Sequence, residues 1–309
     1  MEIITDINNF KALPCAATIG SFDGVHLGHR AMLMELRARA EQLGLPVMVV
    51  TFARHPRLLF SSSGDRFLLS SNGEKIALLE ALGVDYCVML DFDAGMASMS
   101  AERFMKEILL EKLGVELLCV GYDHHFGKPA PGEGFEQYAE YGNRLGMDVF
   151  MAAPFLVDGV AVSSSKVRRA LASGDVALAT LLLGHDYSFS GSVVHGARIG
   201  RSLGFPTANI SLADDMKLLP ADGVYAVCLS CDGVEYKGVM NIGVKPTIGE
   251  NLQRTVEVFI IGFNGDVYGK DIVVTPLVRI RGEMVFDSTE ALRCQIHSDV
   301  EYVKSRIDI

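Results

Sequence analysis

The stretch Gly20-Ser21-Phe22-Asp23-Gly24-Val25-His26-Leu27-Gly28-His29 decides the fold that we predict for the first half of the chain. Residues 16–19 before it form an apolar run that predicts a buried strand, and residues 30–44 after it carry apolar side chains at helical spacing. A glycine-containing turn between a strand and a helix directs backbone N–H groups and the positive end of the helix dipole toward one point. This order of elements is typical of an anion-binding site.

Two histidines in this turn suggest a chemical role for it. His26 and His29 are three residues apart, so both fall on one face of the first helical turn. Gly28 lies between them and has no side chain that would hold a phosphate away. Two imidazoles at this place could donate hydrogen bonds to phosphate oxygens as those oxygens gain charge. The alternative is an ordinary strand–loop–helix turn with solvated histidines.

The composition is that of an ordinary globular protein, with 49% hydrophobic and 21% charged residues. A chain of 309 residues is long enough for about two domains. The net charge of −10 argues against binding to nucleic acid or to anionic membranes, so an anionic ligand must be held by local groups. The start of the chain lacks the pattern of a signal peptide, and six scattered cysteines fit reduced thiols. We expect a cytoplasmic protein that is a monomer or a weak oligomer.

Two short patterns could be combined into a zinc site, because Cys228 and Cys231 are spaced like ligands, as are Cys294 and His297. Cys228 lies in a strand-like segment, however, and an odd separation directs two side chains of a strand to opposite faces. We therefore favour buried or incidental cysteines over a metal centre.

Residues 1–184 alternate strand and helix patterns, which predicts an α/β domain with a Rossmann-like open parallel sheet. Ligands of such sheets bind at the carboxyl ends of the strands. That edge carries the first motif and the loops after Phe52 and Gly121. The predicted strands are residues 16–19, 46–52, 86–90, 117–121 and 148–152, and the predicted helices are residues 30–44, 74–82, 101–113 and 135–145.

The sequence Val162-Ser163-Ser164-Ser165-Lys166-Val167-Arg168-Arg169 places three hydroxyls before a helix start and three cations after them. A serine N-cap followed by solvated basic residues is the simpler interpretation. The alternative is a mobile basic loop that neutralises, from a second side, phosphates held by the first motif.

Residues 185–309 change to short alternating strands at 187–195, 224–229 and 255–262, separated by Asp-Gly and Asn-Gly turns. Residues 288–306 then predict one terminal helix with an apolar face. This pattern predicts an antiparallel β-barrel domain with a helix packed against it. The expected domains are therefore residues 1–184 and residues 185–309.

The second domain has a glycine-rich stretch of its own, in which Gly196, Gly200 and Gly204 recur every fourth residue. Such spacing lets a backbone approach a phosphate chain, although a flexible hairpin is the alternative. Thr207 and Asn209 follow and offer two neutral oxygen ligands, which suit Mg²⁺ held jointly with ATP phosphates.

Two further features belong to this domain. Asn241 begins a second ordered turn, Asn-Ile-Gly-Val-Lys-Pro-Thr. Glu257 is a carboxylate inside an apolar strand, between Val256 and Val258. Alternation either turns this carboxylate to solvent or holds it at a site.

The chain as a whole resembles the bacterial bifunctional riboflavin kinase/FAD synthetases. Six motifs in that family's order carry the resemblance: the nucleotidyltransferase signature at 20–29, two further synthetase motifs at 51–56 and 121–127, the serine-rich loop at 163–168, the kinase signature Pro-Thr-Ala-Asn at 206–209, and the strand of the kinase's carboxylate base at 255–257. Each motif is weak alone, but six in order are specific.

The resemblance implies that the first domain adenylylates FMN with ATP to give FAD and pyrophosphate. His26 and His29 would then hold ATP phosphates, Ser164 and Arg168 would clamp them, and Asp123 would help to place nucleotide or flavin. The residues implied to bind ATP or flavin in this domain are Gly20, Phe22, Asp23, Gly24, Gly28, Asp123, Ser163, Ser164 and Arg168.

The resemblance also implies that the second domain phosphorylates riboflavin to FMN with ATP, with Mg²⁺ as the cofactor. Thr207 and Asn209 would coordinate Mg²⁺, and Glu257 would accept the proton of the ribityl hydroxyl. The residues implied to bind ATP or flavin in this domain are Gly200, Gly204, Pro206 and Asn241.

The chain departs from the family pattern in two places. Ala53-Arg54 stands where the second motif often has Glu-Pro, and Lys128-Pro129-Ala130-Pro131 replaces an arginine-containing loop after the third motif. These departures keep open a single-activity alternative, in which the chain is a riboflavin kinase and its first domain is a weak or inactive nucleotide- or flavin-binding module.

Overall fold

The computed structural model describes residues 1–60, 66–122, 134–196, 200, 203–246 and 252–307. Contacts between Cα atoms divide the chain into two compact units. The first unit contains Met1–Gly64 and Ser70–Ser163, and the second contains Asp65–Leu69 and Ser164–Ile309.

The first unit is built on a six-stranded sheet in which every pairing is parallel, as predicted. Its strands are β1 (Glu2–Ile4), β2 (Cys15–Ile19), β3 (Val47–Phe52), β4 (Tyr86–Leu90), β5 (Val115–Val120) and β6 (Asp148–Met151). The order across the sheet is β1-β4-β3-β2-β5-β6. Strand β1 was not predicted, because three residues at the edge of a sheet are too few to produce an alternating pattern.

Helices cover both faces of this sheet, which gives the unit two apolar cores. Leu36 and Leu79 pack on one face and Phe104 and Tyr138 on the other. The helices are α1 (Leu27–Leu43), α2 (Arg57–Phe60), α3 (Asn72–Ala81), α4 (Ala94–Ser98), α5 (Ala101–Phe104) and α6 (Phe135–Leu145), and a small hairpin pairs β7 (Leu156–Val157) with β8 (Val160–Ala161).

The strand order reverses between β2 and β5, because the chain continues from β2 to β3 on one side and from β5 to β6 on the other. Ligands of doubly wound sheets bind in the crevice at the carboxyl ends of the strands where this reversal occurs. The stretch from Gly20 to His26 follows β2 at this point. The loop after β5 begins with Gly121 and Tyr122, and its continuation at 123–133 lies outside the described residues.

The helix predicted over residues 101–113 changes from α-helical to π-helical winding along its length. Ser100 caps it as expected, since Ser100 Oγ accepts a hydrogen bond from Arg103 N at 3.3 Å. After α5, however, Met105–Leu110 is a π-helix, and Leu113 N donates to Ile108 O at 3.1 Å. The wider turn buries Met105, Leu109 and Leu113, whereas Ile108 is only partly buried. Apolar spacing predicts that a helix forms but not how tightly it is wound.

The second unit contains the predicted closed antiparallel barrel, with strands ordered β10-β13-β12-β11-β14-β9. The strands are β9 (Phe189–Val194), β10 (Thr207–Leu212), β11 (Gly223–Cys231), β12 (Val234–Pro246), β13 (Leu252–Ile260) and β14 (Asp271–Arg281). Asp232 and Gly233 join β11 to β12 as a two-residue turn with φ of 51° and 77°, which the Asp-Gly sequence predicted. The terminal helix, here α9 (Thr289–Arg306), begins after the N-cap Ser288.

Two short helices, α7 (Ser164–Ser173) and α8 (Val176–Leu183), belong to the barrel unit. Ala221 N donates to Leu171 O at 2.9 Å, and Arg279 Nη1 donates to Ser173 O at 3.3 Å. Residues 66–69 also belong to this unit, and Lys217 Nζ donates to Leu69 O at 2.7 Å. The barrel therefore has partners that precede residue 185 in the sequence.

These contacts give a test of the expected boundary at residue 184. A fragment of residues 164–309 is expected to unfold at a temperature at least about 5 °C above that of residues 185–309. Only the longer fragment contains α7 and α8, whose side chains Leu171 and Leu183 are buried. Thermal unfolding followed by circular dichroism measures the difference. Equal midpoints would show that α7 and α8 add nothing to the barrel and that it folds independently from residue 185.

The cysteine pairs do not assemble into the zinc site weighed above. Within the part of the chain that the structure describes, no group of three or more His, Cys, Asp or Glu residues has a metal-binding arrangement. Cys231 is buried, Cys228 is half-buried and Cys294 is exposed. Burial raises the pKa of Cys15 and of Cys119 to about 12, which leaves both thiols protonated and inert near neutral pH.

In the ranges that the structure describes, no helix combines the length and the apolar character that crossing a membrane requires.

Candidate active sites

The loop after β2 has an unusual backbone. Phe22, Gly24 and Val25 have φ of 49°, 79° and 38°, in the left-handed region that bulky residues rarely adopt. Such conformations persist only where the surroundings determine them, and they cluster at functional sites. Phe22 is fully buried, and its ring lies so close to Gly20 that a Cβ there would be 3.3 Å from Cε2.

Ser70 holds this loop from outside. Its backbone N donates to Asp23 Oδ1 at 3.0 Å, and Gly24 N donates to Ser70 Oγ at 2.9 Å. Asp23 is 3% exposed, so its carboxylate works inside the protein as an anchor of the loop. The implied role of Asp23 in ligand binding stays a prediction.

His26 is the N-cap of α1, and its Nδ1 accepts a hydrogen bond from His29 N at 3.3 Å. A ring that accepts at Nδ1 carries its proton on Nε2, which is then the nitrogen that can donate to a ligand. The two imidazoles are stacked, with centroids 3.7 Å apart and planes 13° apart. The helix N-terminus thus presents two histidine rings side by side.

Gly28 has a packing role as well as the predicted openness. A Cβ at this position would lie 3.1 Å from Nδ1 of His26 and 3.3 Å from the carbonyl oxygen of Val162. Any larger residue would push against the capping histidine or against the segment that leads to Ser163. Val162, the residue before Ser163, therefore lies against the first turn of α1.

Ser164 and Arg168 lie in the second unit, on α7. The predicted helix start is present, but the basic residues are on a helix and not on a loop, because Val167, Ala170 and Leu171 form a buried stripe. Arg168 Nε donates to the carbonyl oxygen of Phe67 at 2.8 Å. Asp123, the remaining residue implied for this domain, lies outside the described residues.

In the barrel, strand register places the implied kinase residues in one row. Asn241 on β12 pairs with Glu257 on β13, and Glu257 pairs with Asn209 on β10. Directly paired residues project to the same face of a sheet, with Cβ atoms about 5 Å apart. Val224 on β11 extends the row, since it pairs with Asn241.

This row lies on the outer face of the barrel, on the side that α9 covers. Val256 and Val258 are buried on the opposite face, whereas Glu257 is half-buried and lines a cavity of about 370 Å³. Alternation therefore turns Glu257 out of the barrel interior and into the wall of this cavity. Most of the apolar wall comes from Leu203, Phe205, Val224, Val239, Phe259, Met284, Phe286, Leu292 and Ile296.

Thr207 forms a hydrogen bond with the Glu257 carboxylate, in which Thr207 Oγ1 donates to Glu257 Oε2 at 3.2 Å. Asn209 is two residues along β10 and therefore on the same face. Its amide fills the space beside Gly196 so closely that any side chain at Gly196 would collide with it. Gly200 is required for a similar reason, since a Cβ there would meet the carbonyl oxygen of Phe205 and lie 3.2 Å from Thr207 Oγ1.

Of the remaining implied residues, Asn241 lines the same cavity, whereas Gly204 and Pro206 do not. Gly204 has φ of 84° and lies beside Phe205 and Pro206, which lead into β10. A side chain at Gly243 would collide with the Glu283 carboxylate and lie 3.3 Å from Nδ2 of Asn241. Glu283 therefore brings a second carboxylate to the cavity.

Comparison with known proteins finds two family models along the chain. The model of the FAD synthetase family matches residues 9–166, and the model of the riboflavin kinase family matches residues 183–307. A "Bifunctional riboflavin kinase/FMN adenylyltransferase" of Escherichia coli (strain K12) is 39% identical over 303 residues, which are 97% of this chain and 96% of the relative. The chain belongs to the bifunctional riboflavin kinase/FMN adenylyltransferases.

Other members of that family are equally similar along the whole chain. The relative from Pseudomonas fluorescens is 39% identical over 97% of this chain and 96% of its own length. The relative from Haemophilus influenzae is 37% identical over 99% of both chains. Domains for both activities are present, which favours the two-reaction prediction over the single-activity alternative.

A solved structure shares the fold of this riboflavin kinase/FMN adenylyltransferase family member. It is described as a macrolide-efflux protein from Streptococcus pneumoniae, has 30% sequence identity, and superposes with a TM-score of 0.88 over 98% of each chain. That description concerns the other protein, and the match adds to this chain only the arrangement of its elements.

Sequence reasoning missed an ion pair in the kinase cavity of this family member. Arg281 binds the Asp299 carboxylate with Nε at 3.1 Å and Nη2 at 2.8 Å from Oδ2, and Gln295 Nε2 donates to Oδ1 at 2.9 Å. Asp299 is 2% exposed. A signal for it exists, because Asp299 is seven residues after Leu292 and falls on the apolar stripe of α9.

Proposed function

We propose that the barrel unit transfers the γ-phosphoryl group of ATP to riboflavin, which gives FMN and ADP. We further propose that the sheet unit transfers the adenylyl group of a second ATP to FMN, which gives FAD and pyrophosphate. The observation that supports the first assignment best is the row Asn241–Glu257–Asn209, of which Asn241 and Glu257 line a largely apolar cavity. The second rests on the two stacked histidines at the N-terminus of α1.

In the kinase site, Glu257 accepts the proton of the ribityl hydroxyl as that oxygen attacks the γ-phosphorus. The hydrogen bond from Thr207 Oγ1 to Oε2 fixes the orientation of the Glu257 carboxylate. The cavity volume of about 370 Å³ lies in the range of small-molecule sites, and its apolar wall suits a flavin ring. A flavin ring packed against this wall would displace water, which would otherwise compete with the ribityl hydroxyl for the phosphoryl group.

The donors around Glu257 fit Mg²⁺. Thr207 Oγ1, the amide oxygen of Asn209 and the Glu257 carboxylate are all hard oxygen ligands, the class that Mg²⁺ prefers together with phosphates. We propose that Thr207 and Asn209 hold the ion, as the resemblance implied. When bound, Mg²⁺ neutralises charge on the ATP phosphates.

In the adenylyltransferase site, we propose that His26 and His29 donate hydrogen bonds to the phosphates of ATP. The helix N-terminus adds its dipole and backbone N–H groups to the same region. Positioning and charge stabilisation carry this reaction, because no covalent enzyme intermediate is needed. Gly20, Gly24 and Gly28 permit the close approach, and the proposed contributions of Asp123, Ser163, Ser164 and Arg168 rest on the family motifs.

We also propose a cytoplasmic location, a monomeric or weakly oligomeric state, and no interaction with nucleic acid or membranes. Six cysteines without a disulfide among the described residues and the net charge of −10 support these proposals.

Chromatography of the products formed from riboflavin and MgATP tests the proposed function. We expect FMN to appear first and FAD to follow, and FMN supplied with MgATP should give FAD and pyrophosphate directly. Formation of FMN without FAD in both assays would instead support a kinase whose first domain only binds nucleotide or flavin. Failure to phosphorylate riboflavin would contradict the assignment of the barrel.

A further inference from the structure

Lys75 is a buried lysine in the first unit to which none of the motifs assigns a role. It is 6% exposed and lies in the first turn of α3. Its Nζ donates to the carbonyl oxygen of Phe52 at 3.1 Å, to Thr51 Oγ1 at 3.3 Å and to the carbonyl oxygen of Ser21 at 3.5 Å. The three donors of the ammonium group therefore meet three acceptors at the carboxyl ends of β2 and β3.

Two links join α3 to the strained loop after β2. Ser70, directly before the helix cap, binds Asp23 and Gly24. Ser71 and Glu74 then form a reciprocal capping box, with Ser71 N donating to Glu74 Oε2 at 2.8 Å and Glu74 N donating to Ser71 Oγ at 3.2 Å. This box fixes where α3 starts and therefore where Lys75 meets Ser21.

Thr51 reinforces the contact between Lys75 and Ser21. It is fully buried, and its Oγ1 donates to the Ser21 carbonyl oxygen at 3.1 Å while accepting from Lys75. Ser21 is the residue immediately before the three left-handed positions of the loop. The carbonyl from which that loop departs is thus held by two side chains.

Stability alone does not explain a lysine at this position. A buried ammonium group is costly to desolvate, and an apolar residue of similar volume is often as stable or more stable. Burial lowers the pKa of Lys75, and the Asp23 carboxylate acts in the opposite direction. Two of its acceptors, Thr51 Oγ1 and Phe52 O, lie at the end of β3, and the third, Ser21 O, is also bound by Thr51 and begins the loop that ends in His26. These contacts connect Lys75 with that loop.

We propose that Lys75 is a positioning residue for adenylyl transfer, which holds the backbone at Ser21 so that the strained loop places His26 and His29 against the ATP phosphates. This inference rests on the proposed function of the first unit. Lys75 acts through the loop and does not contact the reacting atoms. A displacement of about 1 Å in such a site can lower the rate about 10²-fold.

The test compares K75M, T51V and the control K106M in the full-length chain. Met keeps the length of Lys but has no donors, Val keeps the shape of Thr without its hydroxyl, and Lys106 is exposed. For FAD formation from supplied FMN, we expect kcat to fall about 10- to 100-fold in K75M and less in T51V, with KM for ATP changed by less than about threefold. K106M should match the unaltered chain, and FMN formation from riboflavin should be unchanged in all three.

The double variant K75M/T51V separates positioning from simple destabilisation. Because both residues hold Ser21, its kcat should be close to that of K75M alone, whereas independent effects would multiply. A kcat within threefold of the unaltered chain in K75M would overturn the inference, and so would a loss confined to KM. If K75M does not fold, T51V decides in the same way.

The outcome for His29 distinguishes this inference from the proposed function itself. If His29→Ala stops FAD formation while K75M does not lower kcat, only the role of Lys75 is wrong. If His29→Ala leaves FAD formation intact, the adenylyltransferase site is misassigned whatever K75M does.

Discussion

The variant His29→Ala is expected to lower FAD formation from supplied FMN by about 10²–10³-fold, the usual loss when one donor to a developing charge is removed. FMN formation from riboflavin should be nearly unchanged, because the kinase residues belong to the other unit. Separate assays with riboflavin and with FMN, each with MgATP, measure the two reactions. A fall in FMN formation as large as that in FAD formation would contradict the assignment of two sites.

His29 is a better choice for this test than His26. The helix cap uses Nδ1 of His26 and the backbone N of His29, so His29→Ala leaves the cap in place. His26→Ala would remove it, which costs about 1 kcal/mol and confuses loss of chemistry with loss of structure. His185→Ala is a matched control, since His185 lies between α8 and β9 and is not among the residues assigned to either site.

The variant Glu257→Gln is expected to lower riboflavin phosphorylation by about 10²–10⁴-fold and to spare adenylylation of supplied FMN. A primary hydroxyl is a poor nucleophile, and its proton must leave as the bond to phosphorus forms. Glutamine keeps the size and polarity of the side chain and can still accept the hydrogen bond from Thr207. It cannot take a proton, so the loss should appear in kcat and little in KM for ATP.

Glu235→Gln provides the control for this variant, because Glu235 is exposed on β12 of the same barrel. Steady-state rates of FMN formation at saturating riboflavin measure the effect. Kinase turnover of Glu257→Gln within about threefold of the unaltered chain, well below the range expected for a general base, would remove Glu257 from the mechanism.

Most of the fold could be predicted from local patterns. Fully buried strands such as β3 and β5 show continuous apolar runs, and the Asp232-Gly233 turn has the residues that a two-residue hairpin requires. Strand β1 was not predicted because it has only three residues, and the π-helical winding after Phe104 was not predicted because apolar spacing does not report how tightly a helix is wound.

The candidate sites were predictable where a motif is continuous in sequence and were missed where side chains meet only through the fold. Thr207, Asn209 and Glu257 could be named in advance, but no pattern indicated that Glu283 reaches Gly243. Lys75 precedes the buried Leu79 by four residues, which places it on the inner face of α3. A lysine at such a position is a signal, although its acceptors at Ser21 and Phe52 are visible only in three dimensions.

The alternation along β13 has a consequence for how this enzyme can change. Val256, Val258 and Ile260 are buried, while Glu257 and Phe259 line the kinase cavity from the other side of the same strand. Mutations of Val256, Val258 or Ile260 are therefore expected to lower stability, whereas mutations of Phe259 are expected to alter substrate preference. A library that keeps Glu257 and randomises Phe259 should search new flavin analogues while most of its members still fold. Natural evolution has the same freedom, because residues that stabilise the fold and residues that line the cavity alternate along this one strand.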